Sequence, residues 1–421
     1  MLSRRVAVIG LGYVGLPLLL SLHKKGMSAI GFDIDENKVD QLSRGMFPKD
    51  LHLPNYNGQL AVSFDEEDLA GSSIYIICVP TPTNSLNEPD LGPLVSACRT
   101  ISCFLKPGDL VIIESTTFPG CMRDVCIPVL ENSGLVSELH VGATVDNSFQ
   151  VAYSPERINP GDQEKTLEKI TKVVSGGSEA SRRLVKLLYS EIISAELYEA
   201  PSIEVAEFAK AIENAQRDLN IAFMNEIMVL AQAMEIDFWD VWRAAKTKWN
   251  FLPFVPGLVG GHCISVDPYY LAMKAKELNC PTDVILAGRA RNDSMVSYWA
   301  KLFHERATSK GLVEILVLGL TFKENVADFR NSQNLRLARE LNSMGLKVSV
   351  CDPYLGEFDL TNDQFTIIGI NVLPKHLADS RSLVIRAVGH REFSLNPVLG
   401  ALSDLKQRGR YYDISATATH C

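Results

Sequence analysis

The sequence predicts an α/β protein with two doubly wound parallel-sheet domains joined by a long central helix, and three observations predict it. A short apolar strand pattern over 6–9 runs into Gly10-x-Gly12-x-x-Gly15 and a helical pattern, the opening of a βαβ unit. Across 202–234 apolar residues recur at helical spacing without a break. From Val313 a second strand, loop, helix and strand follow, closing at Asp352 as the first unit closes at Asp33.

The first unit reads as strand 6–9, a glycine turn, a helix to about Lys25, Gly26 as the stop and strand 29–32 ending at Asp33. Further buried strands are expected at 74–79, 110–114 and 150–153, and their regular spacing predicts a parallel, doubly wound sheet. Gly10, Gly12 and Gly15 let a turn and helix start approach a pyrophosphate. Asp33 can accept hydrogen bonds from a ribose diol and would repel a 2'-phosphate, so NAD is expected over NADP, on a Rossmann-like domain. The alternative is a glycine turn that merely packs.

The 202–234 helix follows Pro201, with Ser202 as N-cap. Val205, Phe208, Ile212, Ala215, Leu219, Ala222 and Phe223 form its expected core face. Glu207, Lys210, Asn214 and Arg217 form a polar stripe that reads either as a solvated face or as chemistry.

The third segment is a loose repeat of the first, with Gly319 for Gly10 and Asp352 for Asp33, but a longer interval between them. The extra residues fall in T-F-K-E-N-V-A-D-F-R-N-S, which lacks the glycine pattern and places Lys323 and Arg330 before a helix over 332–344. Two cations beside a helix N-terminus suit a second pyrophosphate. Strands at 383–388 and 411–414 complete that Rossmann-like sheet.

Gly260-Gly261-His262-Cys263-Ile264-Ser265-Val266-Asp267-Pro268 places a cysteine behind two glycines that clear space. It is either a nucleophile or a buried thiol in a tight turn. An ordinary thiol is only about 3% thiolate at pH 7, so a nucleophile needs a nearby cation or base, for which Lys210 and His262 are candidates. A dehydrogenase has a use for such a thiol. Adding it to an aldehyde restores a carbon that can give up a second hydride, so alcohol-to-acid oxidation is expected.

Composition narrows the setting. With 46% apolar and 22% charged residues the 421-residue chain is globular, with two or three domains. A net charge of -9 argues against a nucleic-acid partner. The nine cysteines are odd in number and hold no C-x-x-C pair, which excludes a disulfide framework and a zinc ribbon; no metal is expected, and a reducing cytoplasm is the simplest location. Arg4-Arg5 before the apolar 6–22 run imitates a signal peptide, but glycines and Pro17 interrupt it, so neither a leader nor a membrane partner is expected.

The segments G-L-G-Y-V-G-L-P, C-V-P-T-P, E-S-T-T-F-P-G, Y-S-P-E-R-I-N-P-G-D, A-K-A-I-E-N-A-Q-R-D-L-N, G-G-H-C-I-S-V-D-P-Y-Y-L and G-L-T-F-K-E-N together resemble the UDP-glucose/GDP-mannose dehydrogenase family of UDP-sugar 6-dehydrogenases, in order and across nearly the whole chain. The resemblance implies an NAD-binding domain at 1–200, a central helical domain at 201–305 carrying dimer contacts and catalytic residues, and a UDP-binding domain at 306–421, with the active site between the halves. By position it implies Cys263 as nucleophile, Lys210 and Asn214 as oxyanion-stabilising groups, Asp267 and Glu156 in water activation or proton movement, and Thr116 holding a water near the nicotinamide. Tyr13, Val14, Asp33, Lys38, Thr81, Thr116 and Arg330 match NAD contacts; Glu156, Arg157, Ile158, Lys210, Asn214, Arg217, Gly260, Phe322 and Lys323 match substrate contacts.

P-E-R-I-N-P and G-G-H-C-I-S-V-D differ from UDP-glucose members and resemble the UDP-N-acetylhexosamine branch, which includes Vi-type capsule synthesis. UDP-N-acetylglucosamine or its galacto epimer is the expected substrate, for a surface polysaccharide, and a homodimer or larger homo-oligomer is expected. Val255 and Ser265 depart from that branch near the sugar, and UDP-glucose, UDP-N-acetylmannosamine or a one-step hydroxyacid reaction are the alternatives.

Overall fold

A computed structural model describes residues 4–48, 58–84, 87–158, 164, 166–356, 358–379 and 381–415. The chain divides into two compact units: residues up to Glu213 with Tyr269–Pro281, and Asn214–Pro268 with Thr282 onward.

In the first unit the apolar, non-alternating segments become strands buried on both faces, as a parallel sheet under two helical layers requires. The unit's strands are β1 (Val6–Ile9), β2 (Ala29–Phe32), β3 (Val62–Ser63), β4 (Ile74–Ile77), β5 (Leu110–Ile113), β6 (Val136–Ser137), β7 (Ser148–Tyr153), β8 (Lys172–Gly176) and β9 (Leu197–Glu199), of which β3 and β9 hold no buried residue. Among the described residues the order is β3-β2-β1-β4-β5-β7-β8-β9, with β6 beside β7. β7 and β8 pair antiparallel, and the other pairings are parallel. The expected strands fall on β1, β2, β4, β5 and β7. Two of the unanticipated ones are only two residues long, and β8 opens with a lysine that is buried.

The sheet reverses its winding between β1 and β4, and the turn after β1 lies at that switch point. Gly10 holds φ +90, and a Cβ on Gly15 would lie 1.9 Å from the Gly10 carbonyl oxygen, so both glycines are required by the close approach of turn and helix Gly15–Lys24.

The second unit holds β10 (Glu314–Leu318), β11 (Lys347–Cys351), β12 (Thr366–Ile367), β13 (Leu383–Arg386) and β14 (Tyr411–Asp413), all parallel in the order β12-β11-β10-β13-β14. Gly319 after β10 holds φ +91, matching Gly10. Ser332 caps the following helix, Gln333–Ser343, its hydroxyl accepting the Leu335 N–H at 3.3 Å.

The central helix spans Ile203–Ala233, and the division between the units falls within it. Ser202 Oγ accepts the Val205 N–H at 3.3 Å, as an N-cap does. Its buried side matches the expected one only in part. Ala215 and Ala222 are buried, but Val205, Phe208, Ile212 and Phe223 are exposed, 55% in the case of Phe223. The buried side instead carries Ala206, Glu207, Lys210, Ala211 and Asp218. Small residues let the backbone approach its neighbours, and the charged groups among them are buried because each meets a partner. No helix among the described residues is long and apolar enough to cross a membrane.

Gly319→Ala is expected to destabilise the protein by on the order of 1–3 kcal/mol, because it pairs a left-handed backbone with a Cβ that would lie 2.4 Å from the Val388 Cβ. Thermal and denaturant unfolding of the variant checks this; wild-type stability contradicts it.

Candidate active site

In the first unit the glycine turn opens onto helix Gly15–Lys24, which has no side-chain cap and no acid in its first turn. A Cβ on Gly12 would meet nothing within 4 Å, so space remains at the positive end of the helix dipole. Val14 sits at the helix N-cap and Tyr13 one residue before it. Asp33, buried at the end of β2, accepts the Leu11 N–H at 2.8 Å, the Asp35 N–H at 3.0 Å and the Lys38 ammonium at 2.8 Å. This arrangement fits the adenosine half of NAD: open space for a pyrophosphate beside a fixed carboxylate.

Beyond β4 and β5, Thr81 Oγ1 donates to the Thr116 carbonyl at 2.8 Å, and Tyr270 OH donates to the Thr81 carbonyl at 3.0 Å. Helix Asp267–Glu277, which follows the cysteine turn in sequence, thus bonds the loop carrying Thr81, which in turn bonds the loop carrying Thr116. Beyond β7, Glu156 Oε1 accepts the Arg157 N–H at 2.6 Å and the Ile158 N–H at 2.5 Å, and the Glu156 carbonyl accepts the Lys210 ammonium at 2.7 Å. Arg157 pairs with Glu213 at 2.8 Å and donates to the Thr171 carbonyl at 3.0 Å. Ile158 packs on the core.

Two groups in this unit, Lys172 and Glu114, are given no role by the sequence, and a third, Glu207, reads there only as part of a polar stripe. Lys172 on β8 is buried and bonds Glu114 Oε2 at 2.8 Å, while Glu114 also accepts the Tyr189 hydroxyl. Lys172 further reaches the Ser154 and Pro155 carbonyls at 3.4 and 3.3 Å and lies 3.5 Å from Glu156 Oε2, so it supports the loop that receives Lys210. Burial raises the Glu114 carboxyl and the Lys172 ammonium opposes it. Glu207 accepts the N–H groups of Gly120 at 2.6 Å and Met122 at 2.9 Å, which ties the central helix to the loop after Thr116. Nothing local in the sequence marks Lys172 or Glu114, since their partners are 58 residues apart in the chain.

In the second unit the cysteine turn has a defined geometry. Gly261 has φ +83, and a Cβ there would lie 2.8 Å from the Phe322 ring; one on Gly260 would lie 2.6 Å from the Asn331 carbonyl oxygen. The two glycines therefore clear space for the 320–331 loop, whereas the sequence suggested space around the thiol. Asn331 Nδ2 donates to the Gly261 carbonyl at 3.1 Å and to Ser265 Oγ at 2.9 Å. Cys263 is half-buried, and its carbonyl accepts the N–H groups of Val266 and Asp267 at 3.0 and 2.9 Å. Asp267 is fully buried at the start of its helix, and its Oδ2 accepts Asn214 Nδ2 at 2.5 Å. Two expected catalytic residues thus meet directly beside the third.

Arg330 is forked onto Asp328, with Nη2 2.6 Å from Oδ2, and His262 Nδ1 lies 3.5 Å from the same guanidinium. Phe322 meets the His262 ring edge-on with centroids 6.1 Å apart, and Lys323 is half-buried beside it in sequence. Arg217 is exposed on the central helix. The structure thus gathers Glu156 with Lys210 in one unit, and Cys263, Asp267, Asn214, Gly260 and Phe322 in the other. Among the described residues every cysteine is a free thiol and no His, Cys, Asp or Glu cluster is placed to hold a metal.

A nucleotide-binding turn at a sheet switch point, a second sheet of the same winding and a cysteine turn define a class, the dinucleotide-dependent dehydrogenases with a second nucleotide-binding unit. The chain belongs to the UDP-glucose/GDP-mannose dehydrogenase family: residues 4–193 match its NAD binding domain, 204–294 its central domain and 316–414 its UDP binding domain. It is an NAD-dependent nucleotide-sugar dehydrogenase. Similar relatives include the UDP-N-acetyl-D-glucosamine 6-dehydrogenases of Pseudomonas aeruginosa, 43% identical with 92% of this chain and 91% of that one covered, and of Salmonella typhi, 41% identical with 92% and 90% covered. Among solved structures, a UDP-D-ManNAc dehydrogenase from Pyrococcus horikoshii superposes with a TM-score of 0.81 at 30% identity, covering 97% of this chain and 93% of that one.

Burial pushes the Glu207 carboxyl up to about 7 against its two N–H donors, with Glu204 adding in the same direction. A carboxyl raised in the fold binds a proton the unfolded chain has released, so its contribution to stability falls as pH rises from about 4.5 to about 7. The stability of wild type relative to Glu207→Gln is expected to decline across that window by on the order of 3 kcal/mol. Unfolding of both proteins at a series of pH values checks it; a pH-independent difference contradicts it.

Proposed function

We propose that this enzyme oxidises the C6 alcohol of a UDP-N-acetylhexosamine, UDP-N-acetylglucosamine or its galacto epimer, to the uronic acid in two hydride transfers with Cys263 as the covalent nucleophile. The observation that carries the reading is the turn at Cys263. A half-buried thiol lies on a glycine-held loop beside Asp267, and Asp267 is bound to Asn214 of the central helix.

NAD, when bound, accepts one hydride per oxidation, and two are consumed per substrate. In the first step the C6 hydroxyl loses its proton to a basic side chain and the C6 carbon loses a hydride, giving an aldehyde. The Cys263 sulfur then forms a bond to C6 while the thiol proton passes to the aldehyde oxygen, giving a thiohemiacetal. Loss of a second hydride and of the hydroxyl proton leaves a thioester. Water adds to it, the S–C bond breaks, and the acid leaves with the thiol regenerated.

The Lys210 ammonium and the Asn214 amide are the donors suited to oxygen as it gains negative charge, and Asp267 and Glu156 are suited to move protons. Asp267 holds the Asn214 amide in one orientation. Thr116 is proposed to hold the hydrolytic water. Tyr13, Val14, Asp33, Lys38, Thr81 and Arg330 are proposed for NAD; Arg157, Ile158, Arg217, Gly260, Phe322 and Lys323 for the nucleotide sugar. Arg157 is held by its pair with Glu213, which orients its guanidinium.

The N-acetylhexosamine assignment is supported by the relatives named UDP-N-acetyl-D-glucosamine 6-dehydrogenase, at 41–43% identity, against 30–34% for those named UDP-N-acetyl-D-mannosamine dehydrogenase. A role in surface polysaccharide synthesis accords with the S. aureus relative Protein CapL, 42% identical. The exposed Val205, Phe208, Ile212 and Phe223 support a homodimer through the central helix, and the free thiols accord with a cytoplasmic location.

NADH formation is to be measured with UDP-glucose, UDP-N-acetylglucosamine, UDP-N-acetylgalactosamine and UDP-N-acetylmannosamine. Higher kcat/KM for the gluco or galacto N-acetyl sugar supports the assignment, and preference for UDP-glucose or the manno epimer overturns it. Cys263→Ala is expected to lower acid formation by on the order of 10³-fold or more, and Cys263→Ser to accumulate a sugar adduct visible by mass spectrometry. Acid production at the wild-type rate by either variant overturns the covalent route and favours one-step hydroxyacid chemistry. Phe208→Asp with Ile212→Asp is expected to give monomers by light scattering; an unchanged mass contradicts the helix-mediated dimer.

A further inference from the structure

His390, just beyond β13, is fully buried and takes no part in the proposed chemistry, yet every hydrogen bond its ring makes is to the loop after β10 or to the acid that closes β11. Its Nδ1 accepts the backbone N–H of Asn325 at 3.0 Å. An amide N–H can only donate, so Nδ1 carries no proton and the ring hydrogen is on Nε2. Nε2 in turn lies 3.1 Å from Thr321 Oγ1 and 3.2 Å from Asp352 Oδ2. The Thr321 hydroxyl donates to the Lys323 carbonyl at 2.8 Å, so its oxygen is left to accept from the ring.

Asp352 completes the clamp, its Oδ2 accepting the N–H groups of Leu320 at 2.6 Å and Thr321 at 3.2 Å. Asn325 holds φ +58, and its side-chain oxygen accepts the Arg391 N–H at 3.1 Å. Residues 320–325 are thereby pinned at both ends to one imidazole and its neighbour. The same loop presents Phe322 against Gly261, two residues before Cys263.

We propose that His390 is the positioning residue for the 320–325 loop, setting where Phe322 and Lys323 meet the uridine diphosphate. The proposal rests on the reading that this loop contacts the UDP moiety. In the first unit the matching acid, Asp33, is also buried but faces a lysine. In the second, the imidazole of His390 rather than a lysine faces the matching acid, Asp352, at 3.2 Å. The repeat has exchanged a ligand acceptor for a loop clamp.

The test uses the full-length enzyme and two probes, UDP and NAD, titrated by calorimetry. His390→Leu keeps an apolar volume but removes donor and acceptor, and is expected to raise the Kd for UDP about tenfold while leaving the Kd for NAD within about twofold. His390→Asn places an acceptor where Nδ1 stood, and is expected to recover most of the UDP affinity. Equal UDP binding by wild type and the Leu variant overturns the role of His390, as does equal weakening in Leu and Asn variants. If the Leu variant does not fold, Thr321→Val, which cuts the link from the ring to the Lys323 carbonyl, is read with the same two outcomes. A wild-type enzyme that binds NAD but not UDP removes the UDP reading of the loop, and the positioning proposal with it.

Discussion

The central helix depends on a constraint that runs against ordinary amphipathicity: Glu207, Lys210 and Asp218 are buried while Val205, Phe208, Ile212 and Phe223 are exposed. Each buried charge is satisfied in a particular way. Glu207 takes backbone N–H groups of Gly120 and Met122, Lys210 gives its ammonium to a backbone carbonyl, and Asp218 pairs with Arg289 and Asn292. An unpaired charge at any of these positions would cost several kcal/mol, and for Glu207 and Lys210 the partners come from loops. Those loops follow β5 and β7 and carry Thr116 and Glu156. The helix therefore fixes the candidate chemistry by the same contacts that allow it to be buried.

A second principle is reuse of one strand-turn-helix-strand design for two purposes. Gly10 and Gly319 share the left-handed backbone, and Asp33 and Asp352 both accept N–H groups from the turn that follows the glycine. The first copy keeps the tight turn that brings a helix end close to a phosphate. The second inserts a longer loop whose backbone is tied by Thr321, Asn325 and His390, and which lies over the cysteine turn. A longer loop has more freedom to lose on ordering, and the buried imidazole with its three partners supplies the contacts that offset this.

The sequence by itself determined the elements whose signals are local. The glycine turn, Asp33, the strands on which the two sheets are centred, Ser202 as a helix cap, and the Gly-Gly-His-Cys turn were all legible, because each follows from neighbouring residues and backbone geometry. The period of the central helix was legible too, but which side it buries was not. Periodicity reports that apolar residues share a face; it does not report whether that face meets this chain or something else. Only the tertiary structure decided that alanines and satisfied charges turn inward, that Gly260 and Gly261 make room for Phe322 and Asn331, and that Lys172, Glu114, Glu207 and His390 hold the site loops. Those decisions belong to partners far apart in the chain, whose proximity no local pattern encodes and whose burial is tolerable only once the fold has brought them together.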